Sequence, residues 1–211
     1  MEVYANDEER LEALQRWWKE NGTSIVAGIL VGALAIAGWN LWQNNQRSVG
    51  LQASNVYQQL LLANREQRSE AAIKLSERLI QQYPATAYGD FARLFLARLR
   101  VEAGDLAAAR KTLEEAMTRL QDDELRLLAR LRLAQVLSAL GEQDAALTQL
   151  DGVPEDKTGK FQGAYAELRG DVLVARGQPE QARAAYEKAR TQGEASPLLK
   201  LKLTDLPARQ P

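Results

Sequence analysis

From Asn21 to Gln46 the chain carries no charged residue, and within that stretch Ile25 to Trp42 is almost wholly apolar. Wound as a helix, such a run is long enough to cross a hydrocarbon core about 30 Å thick. All four tryptophans flank it, Trp17 and Trp18 before it and Trp39 and Trp42 at its close, as expected of amphipathic rings seated at two interfaces with the lipid bilayer. A buried helix of a soluble protein would need surrounding structure on every face, and the preceding segment is too short to supply it. A cleaved signal peptide, which Ala35-Ile36-Ala37 would permit, fits poorly with a long acidic leader (Glu2, Asp7, Glu8, Glu9, Glu12). Arg10, Arg16 and Lys19 precede the span and only Arg47 follows closely, so the N-terminus is predicted to be cytoplasmic. Gly28 and Gly32 form a G-x-x-x-G, and Ala35 continues the same face as a candidate contact with another membrane helix. Small residues are also common in membrane helices without such a contact. Leu11, Leu14, Trp17 and Trp18 recur at helical spacing, which predicts a short interfacial helix ending near Asn21-Gly22.

Behind the span lies enough chain for one compact domain. Of 211 residues, 45% are hydrophobic, and the dominant types are good helix formers, so the chain reads as all-α. A formal charge of -1, from 27 basic and 28 acidic residues, gives no field to attract nucleic acid. With no cysteine and no histidine, thiol nucleophiles, imidazole bases and the usual nitrogen or sulfur metal sites are absent, and no cofactor is expected. Carboxylates cluster at Asp122-Asp123-Glu124 and Glu114-Glu115, but on charged helical faces or turns with no convergent pocket, so an enzyme is not expected.

The domain repeats. Gly104, Gly141 and Gly177 stand 37 and 36 residues apart, each between two helical patterns. Five positions after each comes a small residue (Ala109, Ala146, Ala182), and four further a bulky one (Leu113, Leu150, Tyr186). This pattern lets antiparallel helices pack closely at the alanine. The copy Ala166, Gly170, Leu173, Gly177, Ala182, Tyr186, Ala189 looks like a tetratricopeptide repeat lacking its early Trp. Counting back from Gly104 places a degenerate copy with Gln67 at the turn, Ala72 in the second helix and Pro84 as the closing proline. Helix pairs are predicted over Gln52 to Tyr83, Tyr88 to Leu120, Glu124 to Leu150 and Phe161 to Thr191. The stretch Asp151 to Lys160 reads as a spacer loop. Ser196 is predicted to cap, and Pro197 to start, a last helix through Leu203 that closes the stack.

The architecture predicted is thus all-α, with one N-terminal transmembrane helix, a tetratricopeptide-like α-solenoid of about four helical hairpins, and a capping helix. Residues 1–22 form the cytoplasmic segment with its short amphipathic helix, 23–42 the transmembrane helix, 43–51 a linker and 52–211 the repeat domain. First helices of such repeats line a concave face. The phase set by the glycines puts Tyr57, Leu61, Phe91, Leu94, Arg98, Leu131, Gln135, Glu167 and Asp171 on that stripe, as a candidate protein-binding groove.

Nearly the whole chain resembles one family, the YfgM family of ancillary subunits of the bacterial SecYEG translocon. The resemblance rests on the opening Met1-Glu2-Val3-Tyr4, the acidic stretch, Trp17-Trp18, Glu20-Asn21-Gly22, and a span rich in small residues ending Gly38-Trp39 before the repeats. It implies a single-pass protein of the bacterial inner membrane with its C-terminal domain in the periplasm. The partners it implies are the SecYEG translocon, a PpiD-like membrane-anchored periplasmic chaperone and exported polypeptides. No catalytic residue comes with it. The expected function is a membrane-anchored protein-binding module that helps exported proteins pass to periplasmic chaperones. The alternative is a scaffold for another envelope assembly, in pilus, secretion or cell-wall machinery.

Overall fold

The structure, a computed structural model, describes residues 3–192 and 196–207, with side chains from residue 9 onward. Met1 and Glu2 of the opening motif, the side chains of Val3, Tyr4, Asp7 and Glu8, and the last four residues of the repeat domain lie outside the described residues. The chain divides into two compact units, Met1–Gln52 and Ala53–Pro211. Among the described residues every regular element is helical.

The first unit is built from α1 (Val3–Arg65). It is the one described helix long and apolar enough to cross a membrane. Val26, Ile29, Leu30, Val31, Leu34 and Ile36 are all exposed, which is the reverse of a soluble core helix. The break expected at Asn21-Gly22 does not occur, and α1 runs through it. The Trp18 indole lies over Gly22, about 3.2 Å from where a Cβ would stand, and the Asn21 side chain donates to the Trp17 carbonyl at 3.0 Å. A glycine that ends a helix needs a left-handed φ, and Gly22 has none. Residues 43–51, expected as a linker, are also helical. The Trp39 and Trp42 rings sit 5.1 Å apart.

The second unit is a row of hairpins: the end of α1 with α2 (Ser69–Gln82), α3 (Ala87–Glu102) with α4 (Leu106–Arg119), α5 (Asp123–Ala139) with α6 (Gln143–Asp151), and α7 (Gln162–Ala175) with α8 (Pro179–Thr191). These are the helix pairs predicted from the glycine spacing. Their turns repeat in backbone detail. Gln67, Gly104, Gly141 and Gly177 have φ of 56°, 79°, 81° and 72°. The following N–H in each case donates to the carbonyl five residues back at 2.9 Å: Arg68 to Ala63, Asp105 to Arg100, Glu142 to Leu137 and Gln178 to Leu173. This closes one helix and launches the next in the same direction each time.

Inside the hairpins the bulk is shared between partners. In register with one another, the first helices contribute Leu60, Ala97, Ala134 and Gly170, while the second helices contribute Ser76, Leu113, Leu150 and Tyr186, all buried. Where the first helix is large the second is small, and the reverse. At the last hairpin a Cβ on Gly170 would overlap the Tyr186 ring. Close packing at constant density favours such complementary volumes across a hairpin.

Two details depart from expectation in how they are held. The loop after α6 contains two 3-10 turns, Glu155–Lys157 and Gly159–Phe161. Glu155 pins it to the end of α8, its carboxylate accepting from Lys188 and Gln192, and Thr158, 2% exposed, braces the loop itself by donating to the Glu155 carbonyl at 2.6 Å. The last helix, α9 (Leu199–Thr204), begins two residues later than predicted, and Ser196 does not cap it. Instead the Ser196 N–H and hydroxyl both donate to the Glu167 carboxylate. A carboxylate accepts more strongly from these donors than the hydroxyl could from a helix N–H.

Candidate protein-binding groove

The first helices lie side by side because side chains one repeat apart reach each other. Arg98 on α3 donates to Asn64 Oδ1 on α1 at 3.0 Å, Arg132 on α5 donates to the Leu94 carbonyl on α3 at 3.2 Å, and Tyr165 on α7 donates to the Leu127 carbonyl on α5 at 2.9 Å. Burial pushes the Tyr165 hydroxyl up to about 12, so this last bond keeps its proton across the whole working pH range.

The nine stripe residues divide into three groups. At the α1 and α3 end, Tyr57 and Phe91 have ring centroids 6.1 Å apart, and Tyr88 lies 5.5 Å from Tyr57. Tyr57 and Leu61 are half-buried, while Phe91 remains 40% exposed. Arg98 continues this shelf, stacked 4.3 Å over the Phe95 ring and paired with Glu102 at 3.2 Å, and Gln135 stands exposed one repeat on. Leu94 and Leu131 belong to the packed interior, 5% and 6% exposed. Glu167 and Asp171 are engaged by α9, whose Lys202 ammonium reaches Glu167 at 2.8 Å and Asp171 at 2.7 Å. Burial opposes ionisation of Glu167, but Lys202 and the two Ser196 donors outweigh it and hold the carboxyl below its ordinary value. The same balance, burial against two carboxylates, leaves Lys202 above its ordinary value.

One residue of this face was not read from the sequence. Arg132 stands one repeat beyond Phe95 and is half-buried. Among the described residues it forms no ion pair, and burial, then the nearby charge of Arg98, lowers its hold on its proton. Adding 37 to Phe95 would have found the position, though not that it lacks a carboxylate.

A cleft of about 1040 Å³ between α2, α3 and α4 is lined by Glu77, Asp90, Arg93, Arg100 and Thr112 among others. There Arg93 pairs with Asp90 at 2.8 Å, and Arg100 donates to Thr112 Oγ1 at 2.7 Å and to the Ala108 carbonyl at 3.2 Å. Burial, together with the charge of Asp122, raises the Asp90 carboxyl despite Arg93 beside it. Arg93 and Arg100 are thus held by neighbouring side chains and carbonyls, which ties the helices around this cleft together. On α1, nothing lies within 4 Å of where a Cβ would stand on Gly28 or Gly32, so the face that Ala35 continues is open.

Residues 15–208 match the family described as a tetratricopeptide repeat-like domain. A Haemophilus influenzae protein named ancillary SecYEG translocon subunit is 36% identical over 203 residues, 95% of this chain and 97% of its own length. An Escherichia coli protein of the same name is 31% identical over 209 residues, 98% and 99% of the two chains. Among solved structures, a tetratricopeptide repeat protein from Parabacteroides merdae superposes with a TM-score of 0.54 at 18% identity, covering 72% of this chain and 56% of that one. That likeness speaks for the fold alone.

Proposed function

The chain belongs to the family of ancillary SecYEG translocon subunits with a tetratricopeptide repeat-like domain, and from that premise we propose that it is a single-pass inner-membrane protein that holds a protein-binding groove beside the translocon. The observation that carries the reading is the pairing, in one chain, of an apolar helix with exposed side chains and a repeat domain whose aromatic cluster of Tyr57, Tyr88 and Phe91 leaves Phe91 exposed. Its N-terminus is cytoplasmic and its repeat domain periplasmic, a reading supported by Arg10, Arg16 and Lys19 before the span. The groove receives exported polypeptides, and a PpiD-like membrane-anchored chaperone takes them on. The protein acts by binding and not by catalysis, as the names of its relatives and its fold suggest.

Affinity isolation from gently solubilised membranes, read by mass spectrometry, is the direct test: SecYEG subunits should dominate, with a membrane-anchored periplasmic chaperone beside them. Pilus, secretion or cell-wall components in their place would overturn the assignment. Alkaline phosphatase fused after Pro211 should be active, and an inactive fusion would reverse the topology.

A further inference from the structure

We propose that the groove selects polypeptide segments in which a carboxylate stands about two residues from a large apolar or aromatic side chain, the carboxylate docking at Arg132 and the apolar group on the Phe91 and Tyr57 shelf. This rests on the reading of the α1, α3 and α5 face as a protein-binding groove and adds to it the chemistry of what binds.

Arg132 is the unusual group on that face. Its guanidinium donates to the Leu94 carbonyl, a single neutral acceptor, while among the described residues no carboxylate forms an ion pair with it. Arg98, the other cation of the groove, is satisfied by Glu102 and Asn64. The stripe therefore carries one unneutralised positive charge, half-buried, where a charge-assisted bond is stronger than in bulk water. The contrast with the α2–α4 cleft is direct, since there Arg93 has Asp90. The second half of the site is set by position. Leu94, which receives Arg132, is one helical turn beyond Phe91, a rise of about 5 Å. An extended chain covers about 6.6 Å in two residues. A carboxylate and a ring at that spacing reach guanidinium and shelf together, with Phe91 still 40% exposed to receive the ring. A basic segment is repelled by Arg132, and a purely apolar one desolvates its guanidinium with only the neutral Leu94 carbonyl as partner, which is how such a site discriminates.

The test uses the full chain in nanodiscs of zwitterionic lipid, with empty discs as control, and three fluorescent nonapeptides of serine and glycine. The first carries Asp and Phe two residues apart, the second Asn in place of Asp, the third Ser in place of Phe. Fluorescence anisotropy should give binding of the Asp-Phe peptide about tenfold tighter than either analogue, with the margin over the Asn peptide shrinking at high salt. Arg132→Gln should erase the preference for Asp over Asn and leave the Asn peptide unchanged, while Arg132→Lys keeps part of it. Phe91→Ala should weaken the Asp-Phe and Asn peptides alike. Circular dichroism confirms that each variant is folded. Equal binding of Asp and Asn peptides, an Arg132→Gln loss shared by both, or no binding of any peptide overturns the proposal. Co-isolation with the translocon is scored separately on the same preparations. If it persists while the peptides fail to discriminate, only the carboxylate rule falls, and if it is absent, the proposed function falls whatever the peptides do.

Discussion

Position 67 asks a glutamine to adopt the backbone that glycine adopts in the other three hairpins, with φ of 56° where Gly141 has 81°. A Cβ in the left-handed region costs about 1–2 kcal/mol, and glycine gives back about 0.5–1 of that through its freer unfolded chain. Gln67→Gly should therefore stabilise the repeat domain by about 0.5–1 kcal/mol, and Gly141→Ala should destabilise it by about the same amount. Urea unfolding of the full chain in detergent, followed by circular dichroism, measures both, and a destabilising Gln67→Gly would mean that the glutamine side chain holds the turn. The residue was legible because a turn needs a fixed place in the repeat, and subtracting 37 from Gly104 lands on it even without the glycine. The break expected at Gly22 is absent for the complementary reason. Residue type announces a break only if the backbone uses its freedom, and Gly22 keeps a helical backbone with no left-handed φ, so α1 continues through it. Phase placed Glu167 and Asp171 on a first-helix face, but phase cannot say what will cover that face. Lys202, 35 and 31 residues on, was not visible from spacing.

The elements are held by complementary bulk within each hairpin and by charge at the end of the row. Gly170→Ala places a methyl group in the Tyr186 ring and should cost about 1–3 kcal/mol. Tyr186→Leu alone leaves a void and removes the 2.8 Å bond from its hydroxyl to Asp171, at about 2–3 kcal/mol. Together they recreate the pairing of Ala134 with Leu150 in the preceding hairpin. The double variant should therefore be more stable than the sum of the two losses by about 1 kcal/mol or more. Strict additivity in the unfolding midpoints would show that the reciprocal volumes are coincidence. At the far end, α9 is held by Leu199, 4% exposed, and by Lys202 between Glu167 and Asp171. Glu167 titrates below its ordinary value when folded, so its contribution is present above about pH 4.3, the unfolded value, and is lost as pH falls through the lower folded one. Lys202 titrates above its ordinary value, so its contribution is full below about pH 10.4 and is lost as pH rises through the higher folded one. A spin label at Lys200→Cys, unique because the chain has no cysteine, should be ordered between these limits and mobile beyond both. In a Lys202→Met background it should be mobile throughout, and a label ordered at every pH would show that Leu199 alone docks the helix.

At the scale of the whole molecule, two surfaces of different physics share one chain. Gly28 and Gly32 leave an open small-residue face in the apolar part of α1, and Tyr57, Phe91, Arg98 and Arg132 form a mixed aromatic and cationic face in the repeat unit. Their positions were legible in the sequence, the first as a motif and the second as a phase, because each depends on local spacing; that they bind partners is the proposal tested below. Close packing in lipid depends on small side chains, since no hydrophobic force acts between helices there. Gly28→Leu with Gly32→Leu should therefore reduce co-isolation of membrane-embedded partners while leaving capture of peptide segments intact. Phe91→Ala with Arg98→Glu should do the opposite, with a loss of about 1–3 kcal/mol if these side chains anchor the partner. Because both contacts sit on one chain, each raises the effective concentration of the other. Loss of either should lower retention on a partner that spans both surfaces by more than the loss of its own contact, on the order of a hundredfold where the two are well matched. Quantitative pull-downs on the two variant classes and their combination separate these cases. If both classes lose the same partners to the same extent, the chain presents one composite surface and the division is wrong. If the combined variant loses no more than the stronger single one, the two contacts are not linked through the chain, and the membrane helix serves only to keep the repeat domain at the bilayer.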